Sequence, residues 1–174
     1  MAKDGVLYAY TDKSCIIKLI GAVKYTTVAS DFERFIDDLV ERKDVHEVFI
    51  DMRECTYIDS TDLGILARIT VSQMHKGAPY PVLLYTKDSD IGSILKDVGF
   101  SRVFKMVENI EFNEIELQEM VRSSEPDQLE MAKLMLNAHQ LLIDLDEGNK
   151  EKFTTVVDFM KQNVDSLTQK GAGQ

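Results

Sequence analysis

The chain has 174 residues, 44% of them hydrophobic and 29% charged, with 30 acidic against 20 basic side chains for a formal net charge of −10. That length accommodates one domain with a substantial core, and an appendage besides. The charge balance excludes a nucleic-acid binder, which needs clustered Lys and Arg against phosphate, and it disfavours an anionic membrane surface.

No apolar run reaches the roughly 20 residues of a membrane span, and the opening MAKDGVLYAY lacks the apolar core of a signal peptide. A cytoplasmic protein is expected. The two cysteines, Cys15 and Cys55, show no metal spacing and sit in apolar contexts, as buried free thiols do.

Residues 6–10 and 15–23 are short β-branched and apolar runs split by the turn-like TDKS, which predicts a hairpin. Ser30 or Asp31 can cap a helix beginning near Phe32, because Phe32, Phe35, Ile36, Leu39 and Val40 fall at helical spacing. EVFIDM (47–52) is a continuous apolar run, as in a strand buried on both faces. Leu63, Leu66, Ala67, Thr70 and Met74 form the expected core stripe of the next helix, which Gly77 and Pro79 stop. Residues 81–86 predict another strand, Ser89 or Asp90 opens a helix ended by Gly99, and 103–107 predict a last strand. This order predicts an α/β fold, a mixed β-sheet flanked by α-helices.

Beyond Val107 the pattern is helical. Residues 110–121 predict a helix closing the domain, and SSEPDQ (123–128) a linker or helix start with Ser124 or Asp127 as cap. Met131, Leu134, Met135, Ala138, Leu141, Leu142 and Leu145 recur at spacings of three and four. After the turn DEGN, Phe153, Val156, Val157, Met160, Val164 and Leu167 do the same, giving a C-terminal helical hairpin. KGAGQ reads as a frayed tail. The expected division is a domain over 1–122 and a hairpin extension with a flexible tail over 123–174.

Conventional catalytic sets are thin. His46, His75 and His139 share no ligand spacing, and His46, in a polar turn, and His75, at a helix end, read as surface residues. His139 lies on a helix, but the Lys–Gly that follows the histidine in histidine phosphotransfer domains is absent. No glycine-rich phosphate loop occurs. Asp51 and Asp59 flank the end of a strand, yet the other members of an acidic metal pocket are missing. No metal and no cofactor is expected.

One stretch stands out. In DMRECTYIDSTDLGILARI (51–69) a buried-looking strand runs into Asp59, Ser60, Thr61 and Asp62 at the head of a helix. Helix capping accounts for part of this, since Asp59 or Ser60 can accept from free N–H groups of the first turn and Asp62 complements the macrodipole. At about 100° per residue, Ile65 and Ile69 point away from the stripe through Leu63 and Leu66. They are therefore expected on an outer face, awaiting a partner, the hairpin or solvent.

IDSTDLGILARI resembles the signature of the STAS domain, in particular of bacterial anti-sigma factor antagonists, whose usual form is Asp-Ser-Ser-Gly-Leu-Gly followed by an aliphatic helix. The resemblance covers about residues 5–110 and includes IIKLIGAV, the Asp-Met at 51–52 and KDVGFSRVF (96–104). It implies a STAS fold and a partner switch. The antagonist binds an anti-sigma factor, often itself a serine kinase, which phosphorylates the serine after the motif's Asp; a metal-dependent serine phosphatase reverses this. By position that serine is Ser60, with Asp59 before it and Thr61 at the second hydroxyl position. Leu63 and Gly64 match, whereas Asp62 replaces the family's glycine. Phosphorylation at Ser60 is then expected, with Asp59, Thr61, Asp62, Ile65 and Ile69 at the partner-binding face. No enzyme is expected; a constitutive STAS scaffold is the alternative. The hairpin is extra, with docking on the domain, a second partner and a homodimer all open.

Overall fold

The computed structural model describes residues 3–123 and 125–173. Strands β1 (Gly5–Tyr10) and β2 (Ser14–Val23) form the expected antiparallel hairpin, with Tyr10 opposite Cys15. Helix α1 (Tyr25–Glu41) crosses over to β3 (Glu47–Ile58), which pairs parallel to β2 from Ser14↔Glu47 to Val23↔Ile58. Helix α2 (Ser60–Lys76) leads to β4 (Val82–Leu84), and α3 (Asp90–Asp97) with a 3-10 turn at Phe100–Arg102 leads to β5 (Lys105–Val107), both parallel additions. A short β6 (Gln118–Glu119) pairs antiparallel with β1, giving the order β5-β4-β3-β2-β1-β6. Helices α4 (Gln128–Leu145) and α5 (Glu147–Ala172) complete the chain. The architecture is the expected mixed sheet flanked by helices, followed by a helical hairpin.

Alternation along β2 explains the layering. Cys15, Ile17 and Leu19 are fully buried in the core cluster, which also takes Phe32, Ile36 and Leu39 of α1 and Ile65, Leu66 and Ile69 of α2. Burial pushes the Cys15 thiol up to about 12 and the Cys55 thiol up to about 11; both cysteines are free and buried, as expected. Arg68 of α2 ties the helices together by pairing with Glu33, at 3.6 Å, and Asp37 of α1.

Several elements differ from the sequence expectation. Helix α1 begins at Tyr25 rather than near Phe32, and its N-cap residue Lys24 supplies no side-chain bond. Strand β3 runs on to Ile58, held by the second half of its ladder with β2. Residues 110–117 are not helical. The segment has no regular secondary structure: Phe112 meets Phe49 edge-on, with ring centroids 5.4 Å apart, and the stretch leads into β6. Residues 110–121 therefore close the domain as an added edge. Helix α5 continues through Ala172, so the expected frayed tail is helical up to that residue.

The caps at Ser89 and Gly77 fall as expected. Ser89 accepts from the Gly92 N–H, and Gly77 ends α2 in the left-handed region at φ 62. Asp127 and Glu130 form a capping box at the start of α4, whereas Ser124, the other cap candidate, lies outside the described residues.

Candidate functional site

Strands β2 and β3 end side by side, with Val23 opposite Ile58. The next residues, Lys24 and Asp59, therefore open α1 and α2 at the same edge of the sheet. The Asp59 carboxylate caps both helices. One oxygen accepts from the Asp62 N–H at 3.1 Å and the other from the Tyr25 N–H at 2.7 Å. A carboxylate at two helix N-termini satisfies two orphan donors and complements two macrodipoles. The missing local cap of α1 is thus supplied from 34 residues further along the chain.

The remaining residues of the knot diverge. Thr61 is 2% exposed and turned into the core. Asp62 is completely buried, and neither carboxylate oxygen has a hydrogen-bond partner among the described residues. Burial, reinforced by the neighbouring Asp59 carboxylate, pushes the Asp62 carboxyl up to about 8. It is therefore a buried acid and not a surface charge. Ile65 and Ile69 are 3% and 0% exposed and belong to the core cluster, which overturns their expected place on an outer docking face. Met74, assigned to the core stripe by periodicity, is 59% exposed. The other four residues of that stripe, Leu63, Leu66, Ala67 and Thr70, are buried as expected; α2 is buried on nearly all sides, so its apolar positions alone do not distinguish the face toward the sheet from the faces toward α1 and α4.

Ser60, the first residue of α2, is half-buried, and its hydroxyl lies 2.8 Å from Nε2 of His139 on α4. His139 Nδ1 lies 2.7 Å from the Met135 carbonyl. A carbonyl oxygen can only accept, so Nδ1 carries a proton; in the neutral ring Nε2 is then the acceptor and the Ser60 hydroxyl donates to it. His139 is 4% exposed and lies in the packed interior between the helices. The sequence held a signal for this. At about 100° per residue His139 stands only 40° from Met135, inside the packing stripe of α4.

One turn further along α2, Gly64 lies against the backbone of Ala138, where a Cβ would come within 2.2 Å of the Ala138 carbonyl oxygen. Such an approach requires glycine. The far end of the hairpin is held separately: Asn149 Nδ2 donates to the Val98 and Leu142 carbonyls at 3.0 and 2.7 Å, and Arg102 pairs with Asp146 at 2.9 Å. Asp51, the other acidic residue of the strand end, is committed elsewhere. Burial raises its carboxyl, but the bidentate Arg53 guanidinium and the Arg53 N–H outweigh that and hold it below the usual range. Among the described residues no acidic, histidine or cysteine cluster is disposed to hold a metal ion.

Fold and site together define a mixed α/β domain that presents a serine hydroxyl at a helix N-terminus, on the carboxyl edge of its sheet, under an appended helical hairpin. No protein-family model and no curated protein matches the chain. Among solved structures it is similar to the anti-sigma factor antagonist SpoIIAA in its unphosphorylated form, at 14% identity and a TM-score of 0.49, over 60% of this chain and 87% of that one. It is also similar to the Bacillus cell fate determinant SpoIIAA in the phosphorylated form, at 14% identity and a TM-score of 0.47, over 58% and 88%. No helix among the described residues is long and apolar enough to cross a membrane.

Proposed function

We propose that the chain is a phospho-regulated binding module, an anti-sigma factor antagonist of the STAS type. Unphosphorylated, it binds an anti-sigma factor or serine kinase. Phosphorylation of Ser60 releases that partner, and a serine phosphatase restores binding, so that sigma-factor-dependent transcription follows the state of one hydroxyl in a bacterial cytoplasm. The proposed division is a STAS domain over 1–122 with a hairpin extension from 123.

One observation carries this reading. Of the four polar residues in the knot, three are consumed by the fold: Asp59 caps two helices, and Thr61 and Asp62 are buried. Ser60 alone keeps its hydroxyl outside the core, where its polar contact is the appended hairpin. A phosphate there adds roughly −1.5 to −2 charge and three acceptor oxygens at the head of α2. The fold survives, and the change falls on whatever covers Ser60. Burying that dianion in an interface costs several kcal/mol, and about 1.4 kcal/mol is already tenfold in affinity.

The Ser60–His139 pair also has the form of a nucleophile and an oriented base. We read it as packing, because the nearly complete burial of His139 leaves no room beside it for a substrate. The deciding experiment mixes the protein with the kinase from its own cells and ATP, alongside pulldowns with wild type, Ser60→Ala and Ser60→Asp. Phosphate on Ser60, constitutive binding by Ser60→Ala and loss of binding by Ser60→Asp are expected. An unmodified Ser60, or a Ser60→Asp protein that binds like wild type, sinks the reading.

The contact with His139 favours one alternative, a constitutive STAS scaffold in which Ser60 serves only to seat the hairpin. Indifference of all partner binding to Ser60 substitutions would select it.

A further inference from the structure

Three observations meet at the N-terminal turn of α2. The Ser60 hydroxyl is bonded to His139 at 2.8 Å, and His139 is itself fixed by the Met135 carbonyl. One turn on, Gly64 and Ala138 bring the two helix backbones into contact. The residues involved are adjacent on α4 and one turn apart on α2, so they form a single seat in which α4 crosses the face that carries Ser60. We infer that α4 is a built-in occupant of the docking face around Ser60, and that a phosphate on Ser60 and a seated hairpin exclude one another. This rests on the phospho-acceptor role proposed for Ser60 and adds its regulation.

The physical grounds are space and charge. A hydrogen-bonded contact of 2.8 Å leaves no gap for a phosphorus and its oxygens. His139 cannot withdraw without breaking its bond to Met135, and the Gly64–Ala138 contact prevents α4 from sliding along α2. Nor is the helix N-terminus free to neutralise the anion in place, since the Asp62 N–H is already given to Asp59, whose carboxylate stands beside the site. The same contacts act in the other direction, because a seated His139 covers the hydroxyl a kinase must reach. The bonds of Asn149 and Asp146 at the hairpin turn make seating a discrete state rather than a loose association. A partner helix taking this seat would need a small residue at the Gly64 crossing and a polar group at Ser60, as Ala138 and His139 provide.

The test needs no partner. Amide hydrogen exchange is compared in the full chain for wild type, a protein carrying phosphoserine at position 60, and Gly64→Ala, whose Cβ would collide with the Ala138 carbonyl without adding charge. The expected result is exchange at least tenfold faster across α4 in both altered proteins, with the amides of β2 and β3 as protected as in wild type. Wild-type protection of α4 in either altered protein overturns the inference, as does loss of strand protection in the phosphoserine protein, since that would be damage to the domain rather than release of the hairpin. The partner reading fails separately, on a Ser60→Asp protein whose hairpin opens but whose partner binding is unchanged.

Discussion

The Asp59 carboxylate accepts the Tyr25 N–H at 2.7 Å and so joins the start of α1 to the start of α2 across the carboxyl edge of the sheet. A typical cap is worth about 1 kcal/mol, and Asp59 serves two helices. Asp59→Ala is expected to destabilise by about 2–3 kcal/mol in urea unfolding. The first turns of both α1 and α2 should lose exchange protection together. Fraying confined to α2 would show that the bond to Tyr25 contributes nothing.

Asp62 gives the protein a pH dependence with a defined sign. Its folded value of about 8 lies above the ordinary 3.8. Below about pH 4 both folded and unfolded states are protonated, and the stability is fully present. As pH rises toward 8 the unfolded chain releases its proton while the folded one retains it, and stability falls by an amount on the order of several kcal/mol. Asp62→Asn removes this slope and should gain about 1–3 kcal/mol at pH 8. Chemical unfolding across pH 5–9 checks both, and parallel curves for the two proteins would contradict the buried-acid account.

Burial separates core residues from surface ones on α2. Ile69→Ala should cost about 2–5 kcal/mol of stability, as a cavity in a packed core does. Met74→Ala, at an exposed position, should fall within about 0.5 kcal/mol of wild type. Thermal or urea unfolding of the two proteins is the measurement, and a stable Ile69→Ala protein would return Ile69 to the surface.

Ser60 and His139 should be energetically coupled. A double-mutant cycle of Ser60→Ala and His139→Ala on stability is expected to give about 0.5–1.5 kcal/mol of coupling, the usual net value of such a bond. Strictly additive effects would mean that the hydroxyl and the imidazole do not hold each other in solution.

Much of the architecture was legible in the residues. The hairpin of β1 and β2, the buried central strands, the caps at Ser89 and Asp127 and the paired stripes of α4 and α5 all follow from local periodicity and turn chemistry, which act over a few residues. The start of α1 was not legible, because its cap is Asp59, a non-local partner. The segment at 110–117 misled because its apolar spacing suits a helix, while Phe112 packs on Phe49 and the residues that follow pair with the free edge of β1. The burial of Ile65 and Ile69 was missed because a helix covered on nearly every side carries no clean polar face to orient it.

The sequence by itself determined where the hydroxyls lie: Asp59, Ser60 and Thr61 at a strand-to-helix junction are set by order along the chain, and the resemblance rested on that order. Tertiary structure alone decided what each of them does. Parallel pairing of β2 and β3 turned Asp59 into a shared cap, and closure of the core buried Thr61, Asp62, Ile65 and Ile69. The crossing of α4 at Gly64 set His139 against Ser60, residues that lie 79 positions apart. Such contacts depend on how layers pack, and packing distance is not encoded in local periodicity.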